Sequence, residues 1–188
     1  MEIYLIRHTS INCEKVICYG QADVEVSGAF STELNSLKKK LGESEEYIFY
    51  SSPLKRCSIL AQHLSNADFI PDKRLMEMHF GDWELKSWEL IEKEQYFQKW
   101  RDNFVKTSCP NGESFIDLSK RNIEFFEELI KKDYKKVAII THSGTIRTLV
   151  SHILEIPLNK ALNLQIDYGS ITKIKTLEHS TCVEYVNK

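Results

Sequence analysis

Three short apolar runs punctuate the chain: Ile3 to Ile6, Tyr47 to Tyr50 and Val137 to Ile140. Each is rich in β-branched or aromatic residues and bounded by polar ones. Runs of this length predict strands covered on both faces. A shorter strand is expected around Phe69-Ile70. Near the C-terminus, Ile171 to Leu177 and Thr181 to Val186 predict two late strands, joined as a hairpin through Glu178-His179-Ser180.

The intervening segments carry helical periods. Ser52-Pro53 predicts an N-cap with proline in the first turn, opening a helix through about Leu64. Phe30 to Leu41 and Thr145 to Leu154 predict two more. Phe115 to Lys132 predicts a fourth, with Ile123, Phe126 and Ile130 on its apolar face and basic residues closing its end. Strands alternating with helices predict an α/β sandwich with a largely parallel sheet. No repeat and no Gly/Pro/Ser-rich linker divides the chain, so residues 1–188 are expected to form one domain.

The stretch from about Trp83 to Asn111 breaks the alternation. It holds all three tryptophans (Trp83, Trp88 and Trp100), and Tyr96, Trp100 and Phe104 are spaced four apart. Such a stripe predicts either a helical face packed on the core or a lid-like segment whose aromatic wall shapes a pocket. Both readings can hold for different residues.

Composition narrows the functional classes. The 188 residues carry 25 Lys and Arg against 27 Asp and Glu, a formal net charge of −2, which argues against nucleic acid as a partner through overall charge. A chain of this size buries about two-thirds of its unfolded surface and needs no staples. No apolar run approaches the roughly 18 residues of a membrane span, so no membrane partner is expected. Five scattered cysteines with no C-x-x-C pair suit reduced thiols. Together with a first octapeptide too soon polar for a secretory leader, they predict a cytoplasmic enzyme.

The candidate chemistry collects at strand ends. His8 directly follows the first apolar run, in Leu5-Ile6-Arg7-His8-Thr9. His142 directly follows another, in Ile139-Ile140-Thr141-His142-Ser143-Gly144. In open α/β sheets, ligands bind beyond the carboxyl ends of the strands. Arg56 lies just past the strand end at Tyr50-Ser51, near the same edge. Two arginines converging there would repel each other unless an anion sits between them. Guanidinium forks match phosphate oxygens, and free amides at a helix N-terminus add donors. The site therefore reads as a phosphate pocket in which a neutral imidazole acts as nucleophile. A carboxylic acid is needed to protonate the leaving oxygen. Glu77, His79, Asp82 and Glu84 compete for that step, and spacing does not separate them.

These residues fall into five ordered motifs: Leu5-Ile6-Arg7-His8-Thr9; Ser51-Ser52-Pro53-Leu54-Lys55-Arg56; Glu77 with Phe80-Gly81-Asp82-Trp83-Glu84; Pro110-Asn111-Gly112-Glu113-Ser114; and Thr141-His142-Ser143-Gly144-Thr145-Ile146-Arg147. Together they resemble the histidine phosphatase superfamily, the phosphoglycerate mutase-like proteins. The resemblance implies a three-layer α/β/α sandwich with a mostly parallel central sheet. It implies His8 as the phosphorylated nucleophile, Arg7, Arg56 and His142 around the phosphoryl oxygens, and Glu77 as proton donor. It further implies contacts to substrate or phosphate from Thr9, Gly20, Ser143 and Glu113, with no metal and no cofactor. Thr9, and Ile17-Cys18-Tyr19-Gly20 followed by Asp23, resemble the alpha-ribazole phosphatase branch. Glu25, the Ser27-Gly28-Ala29-Phe30 turn and Asn111 depart from the family pattern around the entrance.

The chain lacks the longer insertions of the mutases, which keep water from the phosphoenzyme, so a phosphatase acting on a small phosphorylated substrate is expected. The alternatives within the family are a phosphoglycerate mutase and a broad-specificity sugar or nucleotide phosphatase. A metallohydrolase built on His8, His79, His142, Glu77 and Asp82 has no His-Glu-x-x-His to support it. A serine hydrolase at Ser143 lacks the first glycine of a nucleophile elbow. An inactive phospho-ligand-binding scaffold would have no need of the acid.

Overall fold

The computed structural model describes residues 1–14, 16–42 and 47–188. Among these, six strands form one sheet: β1 (Glu2–Arg7), β2 (Ile48–Ser51), β3 (Ile70–Pro71), β4 (Lys136–Thr141), β5 (Ile171–Thr176) and β6 (Thr181–Tyr185), in the order β3-β2-β4-β1-β5-β6. The first four in that order run parallel, whereas β5 and β6 are antiparallel and form the predicted hairpin. The sheet is thus mixed, with a parallel centre. Its two middle strands, β4 and β1, are buried on both faces, which is why their sequences read as unbroken apolar runs.

Helices cover each face. On one side Leu34 and Leu37 of α1 (Phe30–Leu41), with Cys57, Leu60, Ala61 and Leu64 of α2 (Lys55–Leu64), pack on Ile6, Ala138 and Ile140. On the other, Phe125, Phe126 and Leu129 join Ile146, Leu149 and Val150 over Ile3, Leu5, Val137 and Ile139. The first three lie on α5 (Phe115–Leu129) and the others on α6 (Ser143–Ile153). This is the three-layer α/β/α arrangement. Among the described residues no helix is long and apolar enough to cross a membrane.

Three helices have boundaries that differ from expectation; α6 begins at Ser143, two residues before the expected Thr145. α2 begins at Lys55, not at Pro53, because Leu54 stays extended and the Ser52 hydroxyl faces His142. α5 ends at Leu129, before the basic residues, and its start is fixed by a capping box between Ser114 and Asp117. Its buried stripe is Phe115, Leu118, Asn122, Phe125, Phe126 and Leu129, while Ile130 is exposed. The predicted face was one position out of phase because Phe125, and not Ile123, carries the burial.

The aromatic segment forms two short helices, α3 (Trp88–Ile91) and α4 (Gln95–Asp102), over a third cluster containing Trp83, Ile91, Phe97, Cys109, Phe115 and Leu118. Trp83 is fully buried and its indole N–H donates to Glu94 at 2.8 Å. Trp88, Trp100 and Phe104 only partly join this packing and face a chamber on their other side. The stripe therefore serves both as core and as pocket wall.

Candidate active site

Adjacent parallel strands lie about 4.8 Å apart, so residues that leave two such strands at the same level emerge as neighbours. Arg7 is in register with Thr141 at the ends of β1 and β4, and the His8 amide donates to the Thr141 carbonyl at 3.0 Å. The next residues, His8 and His142, consequently meet, with ring centroids 5.2 Å apart at 61°. Backbone register places both imidazoles, and α6 starts directly behind the second.

Both rings are buried, His8 at 1 % exposure and His142 at 0 %. His8 Nδ1 lies 2.8 Å from the Thr9 carbonyl, which can only accept, so the proton sits on Nδ1 and the Nε2 lone pair is free. Burial, then the charges of Arg56 and Arg7, hold the His8 pKa well below its ordinary 6.5. His142 is depressed in the same direction by burial first, then by Arg56, His8, Arg7 and Arg121. Its Nε2 lies 2.8 Å from the buried Ser52 hydroxyl and 3.4 Å from the Cys57 thiol. At neutral pH the site therefore holds two uncharged imidazoles.

The arginines are aimed by backbone carbonyls. Arg56, fully buried on the first turn of α2, donates from Nη2 to Gly20 at 2.6 Å and from Nη1 to Ala22 at 3.0 Å. Arg7 donates from Nη1 to Ile166 at 2.6 Å. Neither has a carboxylate within ion-pairing distance among the described residues. Arg7 Nε, Arg56 Nε and the Thr9 hydroxyl are buried without a hydrogen-bond partner among the described residues.

Glu77 sits in the loop after β3, against the start of α6. Its carboxylate accepts from the Gly144 amide at 3.1 Å, the Ser143 hydroxyl at 3.4 Å and the Met78 amide at 3.0 Å. A methyl group at Gly144 would lie 2.2 Å from Glu77 Oε1, so only glycine admits the carboxylate there. The competing groups are used elsewhere. Glu84 accepts from the Gln21 and Phe80 amides, and Asp82 from the Asn111 side chain. The described residues contain no group of three His, Cys, Asp or Glu arranged to hold a metal ion, His79 included.

A chamber of about 470 Å³ is lined by Arg7, Glu77, Ser143, Gly144, Tyr19, Gly20, Tyr168 and Arg147. His8, Thr9, Arg56 and His142 do not line it but lie buried behind Arg7 and Tyr168, the Tyr168 ring 5.4 Å from that of His8. Most of the chamber's remaining wall is apolar, with Ile17, Cys18, Met78, Phe80, Trp88, Trp100, Phe104, Phe115 and Leu162, and Cys13 and Glu14 complete it. Arg147 donates from Nε to the Leu164 carbonyl, and burial lowers its pKa.

Arg7, His8, Thr9, Arg56, Glu77, His142 and Ser143 thus come together, and Gly20 meets them through the carbonyl that holds Arg56. Glu113 does not line the chamber. Its carboxylate accepts from the His79 amide at 2.9 Å and from Arg121 Nε and Nη2 at 2.8 and 2.9 Å. Arg121, which sequence reasoning did not single out, also donates to the Arg74, Met76 and Glu77 carbonyls and so clamps the loop carrying Glu77. Tyr168 was missed as well. The Asp167-Tyr168-Gly169 turn hints at a loop, but nothing in it betrays an aromatic over Arg7. Asn111 has φ of +54°, a region asparagine tolerates better than most residues, so its departure from glycine leaves the turn intact.

A fold with two histidines and two arginines at neighbouring parallel strand ends defines a class. The chain belongs to the histidine phosphatase superfamily (branch 1), whose family model matches residues 3–188. It is 30 % identical to "Putative phosphoserine phosphatase 2" of Hydrogenobacter thermophilus over 192 residues, covering 99 % of this chain and 95 % of that one. It is 24 % identical to the adenosylcobalamin/alpha-ribazole phosphatase of Escherichia coli, over 90 % of this chain and 87 % of that protein. Among solved structures, a putative alpha-ribazole-5'-P phosphatase from E. coli superposes with a TM-score of 0.89 at 21 % identity, covering 100 % of this chain and 96 % of that one. The chain is accordingly a phosphatase of this superfamily, a phosphoric monoester hydrolase.

Proposed function

We propose that the chain hydrolyses its phosphate monoester through a phosphohistidine at His8. The observation that carries this reading is the His8 ring itself: uncharged, with Nδ1 tied to the Thr9 carbonyl and Nε2 free beside two guanidinium groups that lack acid partners among the described residues. In the first step the Nε2 lone pair attacks phosphorus in line, the P–O ester bond breaks, and protonated Glu77 delivers its proton to the departing oxygen. In the second, water attacks the phosphohistidine, the P–N bond breaks, and the Glu77 carboxylate takes the proton from that water. Arg7 and Arg56 neutralise the charge spread over the equatorial oxygens, which is the main demand of phosphoryl transfer, and the uncharged His142 ring stands beside them as a hydrogen-bonding group. The partnerless buried donors on Arg7, Thr9 and Arg56 are of the kind an oxyanion satisfies.

For the leaving group, alpha-ribazole 5'-phosphate, an intermediate of cobalamin nucleotide-loop assembly, is our proposed substrate. The apolar, largely aromatic part of the wall favours a flat, bulky body over a small polar one. The resemblance of Thr9 and Ile17–Gly20 to that branch points the same way. One observation favours phosphoserine instead. Arg147 opens into the chamber without a carboxylate within 4.0 Å among the described residues, a natural receiver for a substrate carboxylate. Comparing kcat/KM for alpha-ribazole 5'-phosphate, phosphoserine, phosphoglycerates, sugar bisphosphates and nucleotides separates the readings. The first should lead by at least an order of magnitude. A lead for phosphoserine would overturn the substrate, a flat profile would indicate a broad-specificity enzyme, and no turnover of any phosphate ester would indicate a scaffold.

A further inference from the structure

Two tyrosines outside the catalytic set stand against the two arginines. The Tyr168 ring lies under the Arg7 guanidinium, with Cζ 3.8 Å from the ring centroid, and is tilted beside His8 at 5.4 Å. The Tyr19 ring faces Arg56, with Cζ at 5.1 Å. The two phenol hydroxyls are bonded to each other at 3.0 Å.

Each tyrosine also sits on the loop whose backbone fixes the same end of the site. Arg7 donates to the Ile166 carbonyl, two residues before Tyr168. The Gly169 amide donates to the His8 carbonyl, and the Arg7 amide to the Ser170 carbonyl, each at 3.1 Å. On the other side Arg56 donates to the carbonyls of Gly20 and Ala22, in the turn that begins at Tyr19. The loops are 149 residues apart in sequence, and the hydroxyl pair joins them across the site.

We propose that Tyr19 and Tyr168 are positioning residues, a brace that sets the planes and separation of the Arg56 and Arg7 forks for the phosphoryl group. An aromatic ring stacked on a guanidinium occupies its face and leaves its in-plane N–H groups directed outward, the geometry that oxyanion binding needs. The hydroxyl bond converts two separately held forks into one rigid frame. This rests on the phosphatase reading above, since without a phosphoryl ligand the forks have nothing to match.

The test is the affinity of inorganic phosphate and orthovanadate, measured by calorimetry on the full chain, alongside kcat and KM for an aryl phosphate. Tyr19→Phe and Tyr168→Phe keep both rings and break the one shared bond. Each should weaken oxyanion binding by a similar factor, roughly 2- to 10-fold, as befits one hydrogen bond. The double variant should be no worse than either single, because both remove the same bond. Tyr168→Leu should lose more, since the ring over Arg7 goes too, and Tyr168→Phe should stand between it and the unaltered protein. Those losses should fall on kcat as well as KM, since the forks grip the transition state. Phenylalanine variants that bind oxyanions as well as the unaltered protein, or more tightly, would overturn the brace, as would additive losses in the double variant. An unaltered protein that binds neither oxyanion would remove the phosphatase reading and the brace with it.

Discussion

His8 and His142 are buried without charge, and this has a consequence for stability that is separate from catalysis. Burial and the neighbouring arginines depress both pKa values in the folded chain below 6.5. As pH falls through about 6.5 the unfolded chain takes up protons that the folded chain refuses, so stability is present above that value and is lost below it. Each histidine should contribute a slope of up to about 1.4 kcal/mol per pH unit in this window. Urea denaturation at pH 7.5 and 5.5 should show a smaller acid loss for the His8→Asn/His142→Asn variant than for the unaltered protein. Equal losses would mean that the two rings titrate normally. A second prediction concerns Gly144. Replacing a glycine in the middle of a helix by alanine ordinarily stabilises by about 0.5–1 kcal/mol, but Gly144 lies in the first turn of α6, where the new methyl would meet Glu77 Oε1 at 2.2 Å. Gly144→Ala should lower kcat about 100-fold or more with alkyl phosphates, the scale of a lost acid, and less with a nitrophenyl ester, which leaves unaided. Equal losses on both esters would contradict the acid role of Glu77. At this scale the sequence was informative about Arg7, His8 and His142, because strand ends are legible from apolar runs. It was silent on Tyr168 and Arg121, whose partners lie far away along the chain.

Among the elements, the loop that carries Glu77 has little regular structure and is held from outside. Arg121, on α5, gathers three of its carbonyls and is kept in place by Glu113, while Glu113 also holds the His79 amide. The pair is mostly shielded, with side chains 17 % and 24 % exposed. Arg121→Met should therefore cost about 1–3 kcal/mol, the scale of leaving buried acceptors unpaired. It should also lower kcat through a displaced Glu77, while leaving the phosphohistidine able to form from a nitrophenyl ester. A variant as stable and as active as the unaltered protein would show that the loop holds its shape alone. The Glu113-Ser114 motif was thus legible as important, but its work is to clamp the loop and not to line the chamber. The boundary errors have the same origin. Ser52-Pro53 carries a helix-start signal, yet the hydroxyl that would cap the helix meets His142 instead, and the phase of α5 is set by the burial of Phe125 against the sheet. Local signals were overridden wherever a side chain had a tertiary partner.

Across the whole molecule, the parallel centre of the sheet brings two histidine-bearing strand ends together, and the aromatic segment over α3 and α4 walls the space beside them. An α/β sandwich followed from the alternation of runs, and its three-layer α/β/α order from the family resemblance. For the tryptophan stripe both core and pocket wall were expected, but not which ring serves which, because periodicity reports that a face is covered and not whether protein or ligand covers it. The direct test of the account is to incubate the purified protein with a 32P-labelled monoester, quench in alkali and map the label. We expect a phosphohistidine that is stable in alkali and labile in acid, confined to the peptide containing His8 and absent from His8→Ala together with turnover. Label on Ser143, or undiminished hydrolysis by His8→Ala, would contradict it.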